Sequence, residues 1–457
     1  MKKIVVAGGG LVGSLIALMM KRRGHSVLIL EKRPDIRKIS QAAGRSINLV
    51  VTSRGLNALN QVGLLKSVLD ITVPVTGRMI HSKTGETNYQ AYGRDPSECN
   101  YSVSRGDLNR FLLNACEKNG IEIIFDSAVT SADLKQKKVK AGSKEMDYDI
   151  LLGTDGAGSV IRTAMSEAIG PLYQNSTEIL PSDYKELFLP LGPNGQPVFE
   201  KNVLHIWPRQ THMLMALPNL DGSFTMTLYA PNRGSEVSFE KLRSKDEIHR
   251  FLQTEFPDAL EKMPGAVEDF IRNPQGTLGT VRSAPWVYQD SVALLGDAAH
   301  AIVPFFGQGM NLGFEDCVYF EQFLNAHPDH WEKSFSAFDR FQRPNANAIA
   351  DMALENFVEM RDKVADPFFV LKKKIEARIE KEMPQDYRSR YGMITYTLIP
   401  YSLAKQAGEI QDAIFTEVCR GKSSEESVDF ALAQKLVQEK FIPFVRKHKL
   451  SLEKYKV

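Results

Sequence analysis

Cysteine is scarce in this chain. Four occur in 457 residues, Cys99, Cys116, Cys317 and Cys419, far apart and with no C-x-x-C among them. That argues against a disulfide framework or a thiolate zinc site, and it fits a reducing cytoplasm. An excess of charge of one sign is also lacking. The 57 Lys and Arg against 55 Asp and Glu leave a formal net charge of +2, which gives no reason to invoke nucleic acid as a partner. No apolar run reaches the roughly eighteen residues of a membrane span. The nine histidines are scattered, with no H-E-x-x-H and no Ser-His-Asp order, so metal chemistry and nucleophilic hydrolysis have no support. There is no internal repeat and no low-complexity linker. Met1-Lys2-Lys3 runs straight into a strand that the fold needs, so no cleaved signal peptide is expected.

What is present starts at residue 4. The apolar run Ile4-Val5-Val6-Ala7 is of strand length and is followed at once by Gly8-Gly9-Gly10-Leu11-Val12-Gly13. A helix with Leu11, Leu15, Ile16, Leu18 and Met19 on its apolar positions comes next, then the run Val27-Leu28-Ile29-Leu30, ending in Glu31. Strand, G-x-G-x-x-G, helix, strand, acid is the order of a βαβ dinucleotide-binding unit. Gly8 allows the tight turn, Gly10 lets backbone approach a pyrophosphate, and Gly13 lets helix and strand pack closely. The helix N-terminus, with Leu11 and Val12 in its first turn, offers free amides to phosphate, and Glu31 is placed to accept from a ribose.

The rest of the chain returns to that unit twice. Arg45, in Gly44-Arg45-Ser46-Ile47-Asn48-Leu49, is within reach of a cofactor phosphate, although a surface ion pair explains it equally well. A helix is expected from about Ser53. Ser104-Arg105-Gly106-Asp107 has the form of a capping box and opens another. The run Ile150-Leu151-Leu152 leads into Gly153-Thr154-Asp155-Gly156, a second place where backbone amides converge at a sheet edge, with a helix opened by Ser159. Between about Pro171 and Gly279 the texture becomes strand-like. Phe224, Met226 and Leu228 alternate with polar neighbours, so one face is apolar. Such a sheet is able to roof a pocket, although plain core packing of that face is the simpler reading. Val292 to Leu295 then runs into Gly296-Asp297, where Asp297 is positioned for a ribitol hydroxyl. Gly307 and Gly309 admit a flat ring, and the amides around Met310 and Asn311 face negative charge on it. His300, beside two alanines, reads as structural. From Trp331 the sequence turns helical, with a break or kink at Pro344. The basic, amphipathic stretch Leu432 to Lys449 suits a cap on the domain better than a membrane surface.

These three cofactor segments, Gly8-x-Gly10-x-x-Gly13 with Glu31, Asp155-Gly156 and Gly296-Asp297, resemble those of the single-component FAD-dependent aromatic hydroxylases. The resemblance extends through stretches such as Tyr184-Lys185-Glu186-Leu187 and Leu204-His205-Ile206-Trp207-Pro208. It implies an α/β fold: a Rossmann-like FAD-binding domain in pieces (1–75, 100–175 and 280–330), an inserted, mainly antiparallel-sheet substrate domain (76–99 and 176–279), and a helical region (331–457) capping the active site. It also implies bound FAD, contacted by the residues above together with Arg105, with NADPH as a transient co-substrate and dioxygen as oxidant. NADPH reduces the flavin, and a flavin C4a-hydroperoxide then transfers oxygen to the ring. The implied substrate is an amino acid with an aniline ring, hydroxylated beside the amine. Arg78 matches the family's carboxylate-binding arginine, and Tyr92, Asn356 and Tyr391 match the polar end. Phe305, Phe224, Leu217 and Met360 are expected to wall the ring, and Phe306 replaces a histidine of some relatives. No metal, no nucleic acid and no membrane span are expected; a homodimer is compatible with the sequence. A hydroxylase of another aromatic carboxylate and a flavin-binding protein without turnover are the alternatives.

Overall fold

The computed structural model describes residues 1–39, 48–359 and 366–456. Its first sheet is built on the opening strand, Lys3–Ala7, which pairs in parallel with Ser26–Leu30 on one side and Ile150–Gly153 on the other. Glu122–Ile124 extends it at one edge; Val292–Leu294 and the short antiparallel Val287–Tyr288 extend it at the other. Ile4, Val5, Val6 and Ala7 are all 0% exposed, the burial on both faces that an unbroken apolar run in a parallel sheet demands. The Leu11–Arg22 helix covers one face and packs against the helices Arg105–Lys118 and Gly309–Ala326. Ser104 caps the second of these by accepting from the Asp107 amide at 3.3 Å, and Ser159 caps Val160–Ile169 in the same way.

The second sheet has seven strands, in the order Gln275–Ala284, Gln174–Leu189, Phe224–Pro231, His212–Pro218, Val203–Arg209, Gly77–His81 and Thr87–Ala91. All neighbours are antiparallel except Val203–Arg209 with Gly77–His81. The two-residue period of a strand sorts its side chains. Leu187, Trp207, Leu214, Phe224, Met226 and Leu228 point to the rear, onto Ile248, Phe251, Leu252 and Phe270 of the outer helices. Ile206, Met213 and Tyr229 point to the front, where they meet Val303, Ala353, Phe305 and Phe357. The front therefore faces the helical region and the loop after Gly296-Asp297. The stretch 130–144, rich in lysine, forms part of a small sheet of three strands, Val129–Asp133, Lys138–Ala141 and Lys144–Asp147.

The helix Trp331–Val358 runs unbroken through Pro344, where the sequence leads one to expect a break or a kink. Phe338, Gln342, Asn345 and Ile349 bury one side of it, and Asn345 Nδ2 donates to the Phe341 carbonyl at 2.9 Å, so tertiary packing and a side-chain donor hold the turn that proline weakens. The basic stretch near the C-terminus docks through Ala433, Leu436, Val437 and Phe441 into the main core, as a cap. Among the described residues no helix is long and apolar enough to cross a membrane, and all four cysteines are free thiols.

Candidate active site

The cofactor cradle is assembled from three strand ends. At the first, Gly8 has φ +106°, and a Cβ there would stand 2.6 Å from the Thr154 carbonyl oxygen; a Cβ on Gly13 would stand 1.9 Å from that of Gly8. Glycine is obligatory at both. Beyond Gly10 a Cβ would meet nothing within 4 Å, so the approach to the Leu11–Arg22 helix start is open. That helix has no side-chain cap, and neither has Gly309–Ala326. The first-turn amides of both are left to a ligand, in contrast to the serine-capped helices nearby. Glu31 Oε2 accepts from the Gly9 amide at 2.7 Å, and Oε1 from the Arg33 amide and Nε at 2.9 and 2.8 Å. Burial works to raise this carboxyl and the Arg33 contacts more than offset it, so it stays ionised, with lone pairs left for ribose hydroxyls. Asn109 Nδ2 braces the loop by donating to the Gly9 carbonyl at 3.0 Å.

At the second strand end, Asp155 Oδ2 accepts from the amides of Val160 and Ile161, while Oδ1 is buried with no partner in the protein. At the third, Asp297 is exposed and makes no hydrogen bond among the described residues. The turn presenting it is held from behind: Asp316 Oδ2 accepts from the Gly296 amide at 2.8 Å and meets His300 Nε2 at 2.6 Å. Burial opposes charge on His300, and the Asp316 carboxylate outweighs it, raising the imidazole's pKa. Val12 packs under Gly296 and Gly313, where a Cβ would stand 3.0 and 2.6 Å away. Two unsatisfied carboxylate sites, two uncapped helix starts and an open glycine loop fit a dinucleotide carrying a ribitol chain and a flat ring. The Asn311 side chain is committed within the protein: Oδ1 accepts from Thr52 N and Nδ2 donates to the carbonyls of Val50 and Gly307, so it ties the cradle together.

Next to the cradle lies the front of the second sheet. Arg78 is half-buried there; its Nε donates to Gln90 Oε1 at 2.8 Å, and its terminal nitrogens make no hydrogen bond among the described residues. Tyr92 stacks on Tyr391 with ring centroids 5.6 Å apart, and Tyr391 stacks on Phe306 at 6.1 Å. Burial raises both phenols above the ordinary tyrosine value and the Arg78 charge pulls the other way, which places the cation beside both rings. Asn100 Nδ2 donates to the Tyr391 hydroxyl at 3.0 Å. Arg388, donating to Glu98 at 2.7 Å, clamps the loop carrying Tyr92 onto the helical region carrying Tyr391. On the other side, Phe305 packs, with its ring tilted, between Tyr229 (centroids 5.3 Å apart) and Phe357 (4.5 Å), and Asn356 Nδ2 donates to the Phe305 carbonyl at 2.7 Å. The Arg78 guanidinium thus lies beside the Tyr92–Tyr391–Phe306 row of rings, and Phe306 leads directly into Gly307 of the cradle.

Residues 1–331 match the FAD binding domain family. The chain is 44% identical over 452 residues to the kynurenine 3-monooxygenase of Myxococcus xanthus (strain DK1622), with 97% of each chain covered. It is 39% identical over 456 residues to the kynurenine 3-monooxygenase of Dictyostelium discoideum, covering 96% of this chain and 98% of that one. The chain belongs to the kynurenine 3-monooxygenase family. It is accordingly a FAD-dependent monooxygenase. Solved structures share the fold: 2-methyl-3-hydroxypyridine-5-carboxylic acid oxygenase in its tetrameric form (TM-score 0.64, 21% identity, 81% of this chain and 95% of that one) and Pseudomonas aeruginosa PqsL in complex with 2-aminobenzoylacetate (TM-score 0.65, 20% identity, 79% and 97%).

Of the residues expected at the substrate, Arg78, Tyr92 and Tyr391 lie together, Asn356 and Phe305 are in contact, and Leu217 lies on the same front face as Met213 and Met215. Phe224 does not. It is 0% exposed behind the sheet, edge-on to Phe199 and His205, because strand parity puts it with Met226 and Leu228 rather than with Thr225. Arg45 and Met360 lie outside the described residues. The sequence reading missed Tyr229, the front-facing aromatic of that strand, and Glu186, whose carboxyl burial lifts to about 7 against the pull of Arg105. Tyr229 follows the apolar alternation by one position, the only signal that could have flagged it. Arg105 is exposed at its helix start, makes no hydrogen bond among the described residues, and faces Glu186 and Tyr184 across the gap between the sheets.

Proposed function

We propose that this chain hydroxylates the ring of L-kynurenine at C3, forming 3-hydroxykynurenine with NADPH as reductant and dioxygen as oxidant. What supports the reading is the Arg78 guanidinium, its Nε spent on Gln90 and its terminal nitrogens without a hydrogen bond among the described residues, beside the stacked Tyr92 and Tyr391 rings. A planar fork suits a carboxylate, which it holds by two charge-assisted bonds. Tyr92 and Tyr391, kept neutral by burial, offer hydroxyls to the same amino-acid head, and Asn356 fixes the Phe305 backbone that borders the ring.

FAD, when bound, supplies the electron relay from NADPH to dioxygen and the oxygen-transfer chemistry. Asp297, Asp155 and Glu31 would hold its hydroxyls, and the open helix starts at Gly10 and Gly309 its phosphates and ring. The amides at Gly309 and Met310 would stabilise negative charge on that ring. The aniline nitrogen of the substrate donates into its own ring, so the chain needs no strong base at the reacting carbon. Its task is to orient and to exclude water, and Phe305, Phe306, Tyr229 and Phe357 make the wall that does so. With a single dinucleotide fingerprint in the sequence, NADPH visits the surface of the loaded enzyme without a second Rossmann unit of its own. Free thiols agree with work in a reducing cytoplasm.

The test is direct. The purified yellow protein is mixed with NADPH with and without L-kynurenine, and the product is identified by mass. Stimulated NADPH oxidation with a product heavier by one oxygen is the expected result. Stimulation by a simple aromatic carboxylate and not by kynurenine would replace this reading with that of a related hydroxylase. No dioxygen consumption with either would mean a flavin-binding protein without turnover.

A further inference from the structure

Behind the sheet, on the side away from Tyr229 and Phe305, two histidines from adjacent strands touch. His81 Nε2 lies 2.9 Å from His205 Nδ1, His81 Nδ1 lies 3.0 Å from Asp258 Oδ2, and His205 Nε2 lies 2.9 Å from the Glu200 carbonyl. His81 is 3% exposed and His205 2%. Both ends of this chain of contacts are acceptors that carry no proton. A hydrogen must therefore sit on His81 Nδ1 and another on His205 Nε2, and the contact between the rings needs a third. Two neutral imidazoles hold only two ring protons. With two, one of the three contacts, the central one buried and the outer ones half-buried, would bring lone pair against lone pair, a loss that polar groups out of water rarely accept.

We propose that His81 and His205 together hold three ring protons, forming one buried cation paired with Asp258, and that this cation fixes the strand pair that aims Arg78. Of the two rings it is His81 that meets a carboxylate, while His205 meets only a neutral carbonyl, so the extra proton belongs to His81. The His81 ring stacks on Trp207 with centroids 4.1 Å apart, and Trp207 Nε1 donates to both Asp258 oxygens, at 3.0 and 2.9 Å, holding the counter-charge in place. The other charges around the pair are Arg209, which donates to the His81 carbonyl, Glu255 with its partners Lys83 and His212, and Asp258 itself. Arg78 lies three residues before His81 on the same strand, on the opposite face, and is in register with Leu204, the residue before His205. The pair thus acts as a rear clasp on the two strands whose front carries the guanidinium. His81, His205 and Asp258 are positioning residues, and their role rests on Arg78 being the carboxylate-binding group.

The test uses the FAD-loaded enzyme labelled with nitrogen-15 histidine, the two rings being assigned with His81→Gln and His205→Gln. At neutral pH, His81 is expected to show both ring nitrogens protonated and His205 only Nε2. As pH rises, loss of the third proton should coincide with a rise in KM for kynurenine at nearly constant kcat. Asp258→Asn should remove the third proton at neutral pH and raise KM about fivefold with the flavin spectrum unchanged. A His81 ring with one bare nitrogen in the wild-type enzyme at neutral pH would overturn the proton count. A third proton whose loss leaves KM flat would overturn the link to Arg78. Failure of the Arg78 reading is seen separately, as an Arg78→Ala variant with unchanged KM while the nitrogen-15 spectrum of the pair stands.

Discussion

Replacing Arg78 by lysine tests the site most sharply, because it keeps the charge and removes only the fork. In the structure the guanidinium divides its work: Nε is committed to Gln90 Oε1 at 2.8 Å, which leaves the two terminal nitrogens for the ligand. A lysine ammonium offers a point charge and cannot serve Gln90 and both carboxylate oxygens together. The loss is that of one charge-assisted hydrogen bond, about 1.5–3 kcal/mol, which corresponds to a KM for kynurenine about 10- to 150-fold higher. Arg78 is half-buried, so the lower part of that range is the expectation. Arg78→Ala, which removes the charge as well, should cost more. The assay is kynurenine-dependent NADPH oxidation together with product formation, at saturating NADPH, with flavin occupancy checked by the visible spectrum. Decarboxylated kynurenine is the control, since wild type and both variants should use it equally poorly. A KM within about threefold of wild type for Arg78→Ala, with FAD bound, would refute the assignment of the carboxylate to this residue.

Four further outcomes follow from the geometry. Phe224→Ala should destabilise the protein by about 3–5 kcal/mol through the cavity it leaves, with KM for kynurenine unchanged. Tyr229→Ala, in the same strand but on the front, should raise KM and increase the peroxide formed per NADPH; denaturant unfolding and a peroxide assay separate the two. Asp297→Ala removes an exposed carboxylate with no other partner, and should weaken FAD binding about 10- to 150-fold, read by titrating the apoprotein. Glu186 titrates at about 7 in the folded chain, above its ordinary value, so the folded state binds the extra proton and this group's contribution falls as pH rises from the ordinary glutamate range through 7. Glu186→Gln should therefore raise the melting temperature at about pH 8 and leave it unchanged at about pH 5, in a pH series of thermal scans.

How much of this was legible beforehand depended on whether the signal was local. The dinucleotide unit reads directly because each of its demands falls on consecutive residues: buried strands need unbroken apolar runs, and the Gly8 and Gly13 positions have no room for a Cβ. Ser104 and Ser159 announce the helices they cap for the same reason. Phe224 was misplaced because alternation shows that a strand has two faces but not which one looks at the ligand. Here the apolar face went to the outer helices, and the site took the face carrying Thr225, Thr227 and Tyr229. At Pro344 the local backbone chemistry allows a break or a kink, and tertiary burial keeps the helix continuous.

The sequence by itself determined the cofactor fold and the order of its three segments, and named the side chains proposed for the substrate. Only the tertiary structure decided which of them meet. Arg78, Tyr92 and Tyr391 are brought together by a sheet register, a loop clamp through Glu98 and Arg388, and a capped helix nearly 300 residues further on. The same holds for His81, His205 and Asp258, whose shared proton count exists only once three separate segments are in contact. Backbone conformation is dictated by neighbours in the chain, whereas charge and hydrogen bonding in the site are set by neighbours in space.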